Sequence, residues 1–154
     1  MWPEYKGRDG CRTPMPWSKA AADLGFGAAG SRAKPWLPVA ESHRALAVDA
    51  QEADADSLLH HYRHLLQWRR SQPALIHGDM TLLPKHEQVL AFVRSHGDRK
   101  VLCAFNLSER AATFALPVGL PAVEAINGSG VRGASVQGAQ VSFEPWACIF
   151  CTVS

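Results

Sequence analysis

The sequence lacks the features that direct a chain to nucleic acids or membranes. Lys and Arg number 16 against 14 Asp and Glu, for a formal net charge of +2, and they form no basic block. A nucleic-acid partner is therefore not expected. No apolar run approaches the roughly 20 residues of a membrane-spanning helix, which argues against membrane association. The N-terminus also lacks the charged and then apolar segments of a signal peptide.

Cysteine is scarce, and its spacing does not complete a metal site. The four cysteines are Cys11, Cys103, Cys148 and Cys151. Cys148 and Cys151 have the CxxC spacing of metal and redox sites. However, residues 147–153 have the composition of a β-strand, on which positions three apart face opposite sides. No second CxxC or neighbouring histidine supplies further ligands. We therefore expect small buried thiols, no metal and no cofactor, and reduced cysteines fit a cytoplasmic protein.

The first third of the chain has little regular periodicity. Residues 1–54 contain five of the ten prolines and a glycine- and alanine-rich segment near 20–33. A chain of 154 residues, of which 47% are hydrophobic, suits one domain or a piece of a larger one. An irregular segment of this length is unusual in a compact domain unless it is functional or covers another domain.

Residues 57–71 carry the clearest helix signal. Asp56 is predicted to be the N-cap, and Pro73 is predicted to stop the helix. Five apolar residues at helical spacing predict one buried face: Leu58, Leu59, Tyr62, Leu65 and Leu66. His60 and His64 are four residues apart, a spacing that also suits a metal site. No third ligand is evident in the sequence, which favours a polar helix face for both histidines.

From Asp79 onward the hydrophobic period changes to two, which predicts β-strands. Seven short segments qualify: 80–83, 88–94, 99–106, 111–116, 122–126, 140–144 and 147–153. Residues 95–98 are predicted to form a hairpin turn, and the glycine-rich residues 127–138 a second hairpin. Short strands separated by turns predict an antiparallel sandwich. Its candidate core residues are Leu90, Phe92, Leu102, Ala104, Phe114, Phe143 and Ile149.

Residues 7–17 combine glycines and prolines, which shape the backbone, with two arginines, an aspartate and a tryptophan. This segment is here termed the arginine loop: Gly-Arg-Asp-Gly-Cys-Arg-Thr-Pro-Met-Pro-Trp. Arg8 and Arg12 each present a rigid fork of donors that suits a carboxylate or several hydroxyls. Pro14 and Pro16 restrict the backbone at and before each proline. The alternative is a purely structural loop whose arginines pair with local carboxylates.

The arginine loop resembles a late-barrel loop of α-glucosidases and oligo-1,6-glucosidases in the α-amylase family of retaining glycoside hydrolases. Other segments resemble the same family in the same order: Met-Trp-Pro at 1–3, Gly-Phe-Gly at 25–27, Pro-Trp-Leu-Pro-Val at 35–39, Ala-Val-Asp at 47–49, Asp-Ser-Leu-Leu at 56–59 and Val-Leu-Cys-Ala-Phe-Asn-Leu-Ser at 101–108. The resemblance implies a chain that is α+β as isolated. Residues 1–78 would be the tail of a (β/α)8 TIM barrel, with a long loop and the last helix. Residues 79–154 would be an antiparallel β-sandwich C-terminal domain.

The resemblance also implies substrate-binding roles within the arginine loop. Arg8 matches the family's arginine that reaches the innermost sugar, so it is expected to bind sugar hydroxyls. Asp9 and Arg12 are further substrate-binding candidates, with hydrogen bonding inside their own loop as the alternative. Trp17 either stacks on a sugar ring or anchors the loop by burial.

No catalytic residue is predicted in this chain. A retaining glycosidase needs two carboxyl groups about 5–5.5 Å apart. None of the 14 acidic residues has the context of the family's catalytic motifs. In the family those motifs lie upstream of the arginine loop. The chain by itself is therefore expected to be inactive and to depend on an N-terminal barrel portion that it lacks.

The resemblance predicts the C-terminal portion of a cytoplasmic, retaining α-glucosidase that hydrolyses terminal α-linked glucose from oligosaccharides. Its β domain would be a cap that stabilises the barrel, because the aromatic residues fall mostly within strands. Trp36 and Trp146 are predicted to lie in a core or between domains. Two alternatives stay open: a stand-alone carbohydrate-binding or interaction β-sandwich module, and a non-functional truncated remnant.

Overall fold

The computed structural model of the chain describes residues 9–28 and 34–154. The chain divides into two compact units, Met1–Tyr62 and Arg63–Ser154. Its helices are α1 (Val48–Glu52), α2 (Leu58–Arg70) and α3 (Pro73–His77). Its strands are β1 (Asp79–Leu82), β2 (Val89–His96), β3 (Arg99–Asn106), β4 (Ala112–Ala115), β5 (Val123–Ala125), β6 (Ala134–Gln137), β7 (Gln140–Phe143) and β8 (Cys148–Val153). In the two described ranges, no helix has the length and apolar character needed to cross a membrane.

Among the described residues of the first unit, two short helical segments precede α2 that the sequence did not predict. Glu41–Leu46 is a 3-10 helix, and α1 follows it directly. The prediction of irregular structure through residue 54 is therefore wrong for these segments. Five or six residues are too few to show an apolar period, and helices this short depend on tertiary contacts. One such contact is the hydrogen bond that the Arg44 side chain donates to the carbonyl of Lys19 at 2.8 Å.

Helix α2 begins one residue later than predicted, because Ser57 and not Asp56 precedes its first turn. The Ser57 hydroxyl oxygen accepts a hydrogen bond from the His60 backbone N–H at 3.4 Å, which is the capping interaction. The same hydroxyl donates to the Gln51 carbonyl at 2.7 Å. Beyond α2, Pro73 opens α3, where the missing N–H of proline costs no helical hydrogen bond.

The second unit is an antiparallel β-sandwich, as predicted. One sheet has five strands in the order β1-β2-β3-β8-β5, and the other has three in the order β4-β7-β6. Every one of these pairings is antiparallel. Strand β6 lies in the glycine-rich segment that was predicted only as a hairpin, and it pairs with β7.

The five-stranded sheet is covered on both faces. Leu102 and Ala104 of β3 belong to the core between the two sheets, together with Phe114, Phe143 and Ile149. Val101 and Cys103 alternate with them and join a second cluster, whose other buried members are Trp68 of α2, Ala74 and Leu75 of α3, and Phe150. Two-sided burial explains why β3 is almost continuously apolar and does not alternate with polar residues.

Five of the seven candidate core residues lie in the core between the sheets, and Leu90 and Phe92 do not. Leu90 alternates with the buried Val89 and Ala91, so it faces the opposite side of the sheet, where it is exposed. Phe92 shares that side and packs against the second cluster. Trp36 and Trp146 are 96% and 68% exposed, so they do not lie in a core of the described residues, and a position between domains stays a prediction.

The junction between α3 and β1 depends on a close backbone approach at Gly78. A Cβ atom there would overlap the Ala74 carbonyl oxygen and lie 2.8 Å from the Ser95 carbonyl oxygen. Arg94 donates to the Gly78 carbonyl through Nη2 at 2.6 Å and Nε at 3.2 Å. No residue with a side chain fits at position 78 without displacing its neighbours. The hydrogen bonds of Arg94 connect the end of α3 to β2.

Candidate functional site

The described part of the arginine loop opens with a tight turn. Asp9–Cys11 is a single 3-10 turn, closed by a hydrogen bond from the Arg12 N–H to the Asp9 carbonyl at 3.0 Å. Arg8, the principal predicted substrate-binding residue, lies outside the described residues. Asp9 is half-buried and Arg12 is exposed. Neither side chain forms a hydrogen bond or ion pair with another residue of the described ranges.

The end of the arginine loop is bound to the start of α1. The carbonyl of Pro16 accepts from the Val48 N–H at 3.0 Å, and that of Trp17 accepts from the Asp49 N–H at 3.1 Å. The Asp49 carboxylate in turn accepts from the Lys19 N–H, at 2.8 Å through Oδ1 and 3.0 Å through Oδ2. That backbone donor holds the pKa of Asp49 below its usual value. The four contacts align residues 16–19 along the first turn of α1.

A second set of contacts shapes the segment that follows the arginine loop. The carbonyl of Leu24 accepts from the N–H groups of Trp17 and Ser18, both at 2.8 Å. Leu24 is only 1% exposed and has a positive φ of 56°, so burial of its side chain offsets an unfavourable backbone conformation. The Asp23 carboxylate accepts from the N–H groups of Gly27 at 2.9 Å and Gly25 at 3.0 Å. These bonds lower the pKa of Asp23 and favour its ionised form.

Arg44 completes this scaffold from a distant position in the sequence. Its Nη1 donates to the carbonyls of Lys19 at 2.8 Å and Ala21 at 3.0 Å. Its Nε donates to Glu41 Oε1 at 2.8 Å, which orients the guanidinium. Asp23, Arg44 and Asp49 therefore order this region, and the sequence analysis missed all three. A signal existed only for Asp23, since an aspartate two residues before a glycine is typical of an Asx turn.

Trp17, the last residue of the arginine loop, is its aromatic candidate for sugar binding. Its backbone is bound on both sides, but its indole is exposed. The prediction that Trp17 anchors the loop by burial is therefore wrong. Pro14 and Leu24 are the buried residues of this region. The stacking of Trp17 on a sugar ring stays a prediction, and the exposed indole is compatible with it.

The two helix histidines are each engaged by a backbone carbonyl. His60 Nε2 lies 3.1 Å from the Glu52 carbonyl oxygen, and His64 Nε2 lies 2.7 Å from that of Gly128. Since a carbonyl oxygen only accepts, each Nε2 carries the proton. Across residues 9–28 and 34–154, no group of three or more His, Cys, Asp or Glu is placed to hold a metal ion.

The CxxC cysteines lie on opposite faces of β8, as predicted. Cys151 pairs with Leu102 and lies in the sandwich core, whereas Cys148 pairs with Phe105. Burial raises the pKa of Cys151 to about 11 and that of Cys103 to about 12. Both thiols are therefore protonated at neutral pH and are poor nucleophiles and metal ligands.

Comparison with known proteins assigns both parts of the chain to one family. Residues 2–78 match the α-amylase catalytic domain, and residues 80–149 match the maltogenic amylase C-terminal domain. The chain belongs to the α-amylase family. It comprises the tail of the catalytic domain followed by the C-terminal β domain.

Within this family the chain is similar to α-glucosidases and oligo-1,6-glucosidases. Over its whole length it is 42% identical to a probable α-glucosidase of Rhizobium meliloti, and it covers 26% of that protein. It is 37% identical to a probable oligo-1,6-glucosidase of Bacillus subtilis over 110 residues, which are 71% of this chain and 19% of that protein. The chain thus spans about a quarter or less of the length of these relatives.

Solved structures have the same fold over nearly the whole chain. An α-glucosyl transfer enzyme matches 100% of the chain with a TM-score of 0.87 and 42% identity, and the match covers 28% of that enzyme. An isomaltulose synthase from a Klebsiella species matches 96% of the chain with a TM-score of 0.78 and 26% identity, and the match covers 26% of that enzyme.

Proposed function

We propose that this chain supplies the C-terminal portion of a retaining α-glucosidase that hydrolyses terminal α-linked glucose from oligosaccharides. The observation that carries the proposal is the alignment of all 154 residues, at 42% identity, with a probable α-glucosidase. The alignment includes the arginine loop, α2 and the β domain in one continuous match. A cytoplasmic location is part of the proposal, and the absence of disulfides at Cys103, Cys148 and Cys151 supports it.

In this proposal the arginine loop forms part of the sugar-binding pocket. Arg8 binds hydroxyls of the innermost sugar, because a guanidinium can pair with a carboxylate and still donate to a hydroxyl. Arg12 and Asp9 are the further substrate-binding residues of the loop. Their side chains have no hydrogen-bonding partner among the described residues, so they remain available to a ligand. The contacts of Asp49 and Arg44 supply the order that a binding loop needs.

The bond-breaking step would depend on carboxyl groups from the upstream part of the enzyme. In a retaining mechanism one carboxylate attacks the sugar while a carboxylic acid protonates the leaving oxygen, and water then hydrolyses the glycosyl-enzyme. The proposal assigns both groups to the upstream barrel, so this chain alone is inactive. Its own contribution is to bind the sugar and to stabilise the barrel.

An exposed apolar stripe on α2 supports the idea that the chain packs against more of a barrel. Leu58, Tyr62 and Leu66 are spaced four residues apart and all are exposed, Leu58 by 73%. Residues at this spacing lie on one side of a helix. Of the predicted apolar face, only Leu59 and Leu65 are half-buried, and no described residue covers the other three positions. We propose that the stripe packs against the upstream barrel portion.

A chimaera tests the proposed function directly. This chain replaces the aligned part of the Rhizobium meliloti probable α-glucosidase, and hydrolysis of p-nitrophenyl α-glucoside is measured. We expect hydrolysis with initial release of α-glucose by the chimaera and none by the isolated chain. Arg8→Ala should lower kcat/KM by about 10- to 100-fold, the loss expected for hydrogen bonds from a charged donor.

The matched control for this experiment is Arg132→Ala, since Arg132 is an exposed arginine of the second unit. This variant should retain the kcat/KM of the parent chimaera. A folded chimaera that fails to hydrolyse the glucoside contradicts the proposed function. Full activity of Arg8→Ala contradicts the proposed role of the arginine loop.

One observation favours the second candidate function, a carbohydrate-binding module. The indole of Trp146 is exposed on the β domain, where a sugar ring has access to its face. Calorimetric titration of the isolated chain with maltotetraose tests this candidate. Binding that Trp146→Gly abolishes would support it, and the absence of binding would exclude it for this sugar.

A further inference from the structure

We propose that Asp49 is a positioning residue for substrate binding by the arginine loop. This role rests on the proposed function, because it assumes that the loop binds sugar. Asp49 is 30 residues from its partner Lys19 in the sequence, and its carboxylate accepts from the backbone N–H of that residue, just beyond the loop's end. It would therefore act on the substrate only through the loop.

The geometry gives Asp49 control over one end of the loop. Its backbone N–H donates to Trp17, and its carboxylate accepts from the Lys19 N–H through both oxygens. Arg44 binds the carbonyl of the same Lys19, so both backbone groups of that residue are engaged. The backbone just after the loop is thus attached both to α1 and to the Glu41–Leu46 helix.

The backbone between this attachment and the arginine motif has little freedom. Pro14 and Pro16 each restrict φ to a narrow range, and Pro14 is also buried. At the other end of the segment, the Asp9–Cys11 turn is closed by the Arg12 N–H. We therefore expect a shift at Lys19 to reach the turn, because the two prolines leave the intervening backbone fewer dihedral angles with which to absorb it. A displacement of about 1 Å in a binding group is enough to lower activity substantially.

A carboxylate suits this position better than an amide of equal size. Both Asp49 oxygens accept from one N–H, and this contact keeps the pKa of Asp49 low, so the group is ionised at neutral pH. In Asp49→Asn, one oxygen is replaced by an NH2 group, which donates and cannot accept. That substitution weakens the attachment without creating a cavity.

The test is a double-mutant cycle in the chimaera described above, with Asp49→Asn and Arg8→Ala. If Asp49 acts by positioning the loop, Asp49→Asn should lower kcat/KM about tenfold when Arg8 is present. In the Arg8→Ala background it should lower kcat/KM less than twofold, because the group it positions is gone. The melting temperature should change little in either background.

Other outcomes overturn the inference in distinguishable ways. Equal losses in both backgrounds would mean that Asp49 has a general structural role. An unchanged kcat/KM in Asp49→Asn would mean that it has no role in binding. An inactive parent chimaera would overturn the proposed function and this inference together.

Two further variants sharpen the experiment. Asp49→Glu keeps two acceptor oxygens and should recover part of the activity that Asp49→Asn loses; failure of this recovery in a folded chimaera would count against the positioning role. Asp98→Asn is the matched control, since Asp98 is an exposed aspartate in the turn between β2 and β3. It should leave kcat/KM unchanged. A loss equal to that of Asp49→Asn would show that the effect is not specific to Asp49, and it would overturn the inference.

Discussion

The side-chain amide of Asn106 donates a hydrogen bond to the carbonyl oxygen of Glu144 at 2.9 Å, which joins the end of β3 to the turn before β8. The same nitrogen donates to the Arg110 carbonyl at 2.6 Å. The amide oxygen of Asn106, Oδ1, accepts two hydrogen bonds from Ser108, one from its backbone N–H at 3.1 Å and one from its hydroxyl at 2.8 Å. Asn106 is 1% exposed, so a fully bonded amide lies at the point where three segments meet.

Replacing Asn106 with Asp should destabilise the β domain. Aspartate has nearly the same shape, but its second oxygen cannot donate, and it would face two carbonyl oxygens. Leaving these buried groups unsatisfied should lower the free energy of unfolding by about 2–3 kcal/mol. Urea denaturation, followed by circular dichroism, measures this change.

The control for that measurement is Asn127→Asp, at an exposed asparagine in the same unit. It should change the free energy of unfolding by less than about 0.5 kcal/mol, as expected for a surface substitution. Equal stability of Asn106→Asp and the native chain would show that the Asn106 bonds do not contribute to folding.

Trp146→Gly should stabilise the protein. Residues 144–147 form a turn in which the Ala147 N–H donates to the Glu144 carbonyl at 3.3 Å, with Pro145 second and Trp146 third. Trp146 has a φ of 60°, as in a type II turn, whose third position favours glycine. Since the indole is mostly exposed, little packing is lost, and relief of backbone strain should raise the free energy of unfolding by up to about 1 kcal/mol.

Thermal and urea unfolding of Trp146→Gly check this expectation, with Trp68→Ala as the contrasting variant. Trp68 is buried against Phe150, at a ring distance of 4.8 Å, and its loss should cost about 3–5 kcal/mol. A large loss of stability in Trp146→Gly would instead indicate that its indole makes stabilising contacts.

The buried thiols should make stability fall at alkaline pH. The pKa values of Cys151 and Cys103 are raised to about 11 and about 12, above their ordinary value near 9. Their stabilising contribution is therefore complete below pH 9. It is lost as the pH rises toward 11 and 12, because only the unfolded chain releases the protons. Each thiol should lower the free energy of unfolding by up to about 1.4 kcal/mol per pH unit in that window.

Urea denaturation between pH 8 and 11 measures this slope. The double variant Cys103→Ala with Cys151→Ala removes both groups, so its stability should depend less on pH over the same range. An identical slope in the variant and the native chain would assign the alkaline loss to other groups.

Elements with a sustained local pattern were predictable from the sequence. β2, β3 and β8 keep a period of two or a continuous apolar run, and α2 has five apolar residues at helical spacing. The period of a strand also predicted that Cys148 and Cys151 lie on opposite faces, as β8 places them. In these cases the information lies within a few consecutive residues.

Predictions failed where a contact outside the local pattern decides between similar options. Asp56 and Ser57 are both good N-caps, and the Gln51 carbonyl that binds the Ser57 hydroxyl favours Ser57. The strand β6 is stabilised by its partner β7 more than by its own composition.

The sequence by itself determined the family, the position of the arginine loop and the β-sandwich, because specific side chains and their periodicity carry that information. Only the tertiary structure decided which residues order the loop. Asp49 binds the N–H of Lys19, and Arg44 binds the carbonyls of Lys19 and Ala21. Every residue except proline has the same backbone N–H and carbonyl, so no sequence pattern marks which of them a distant side chain will bind.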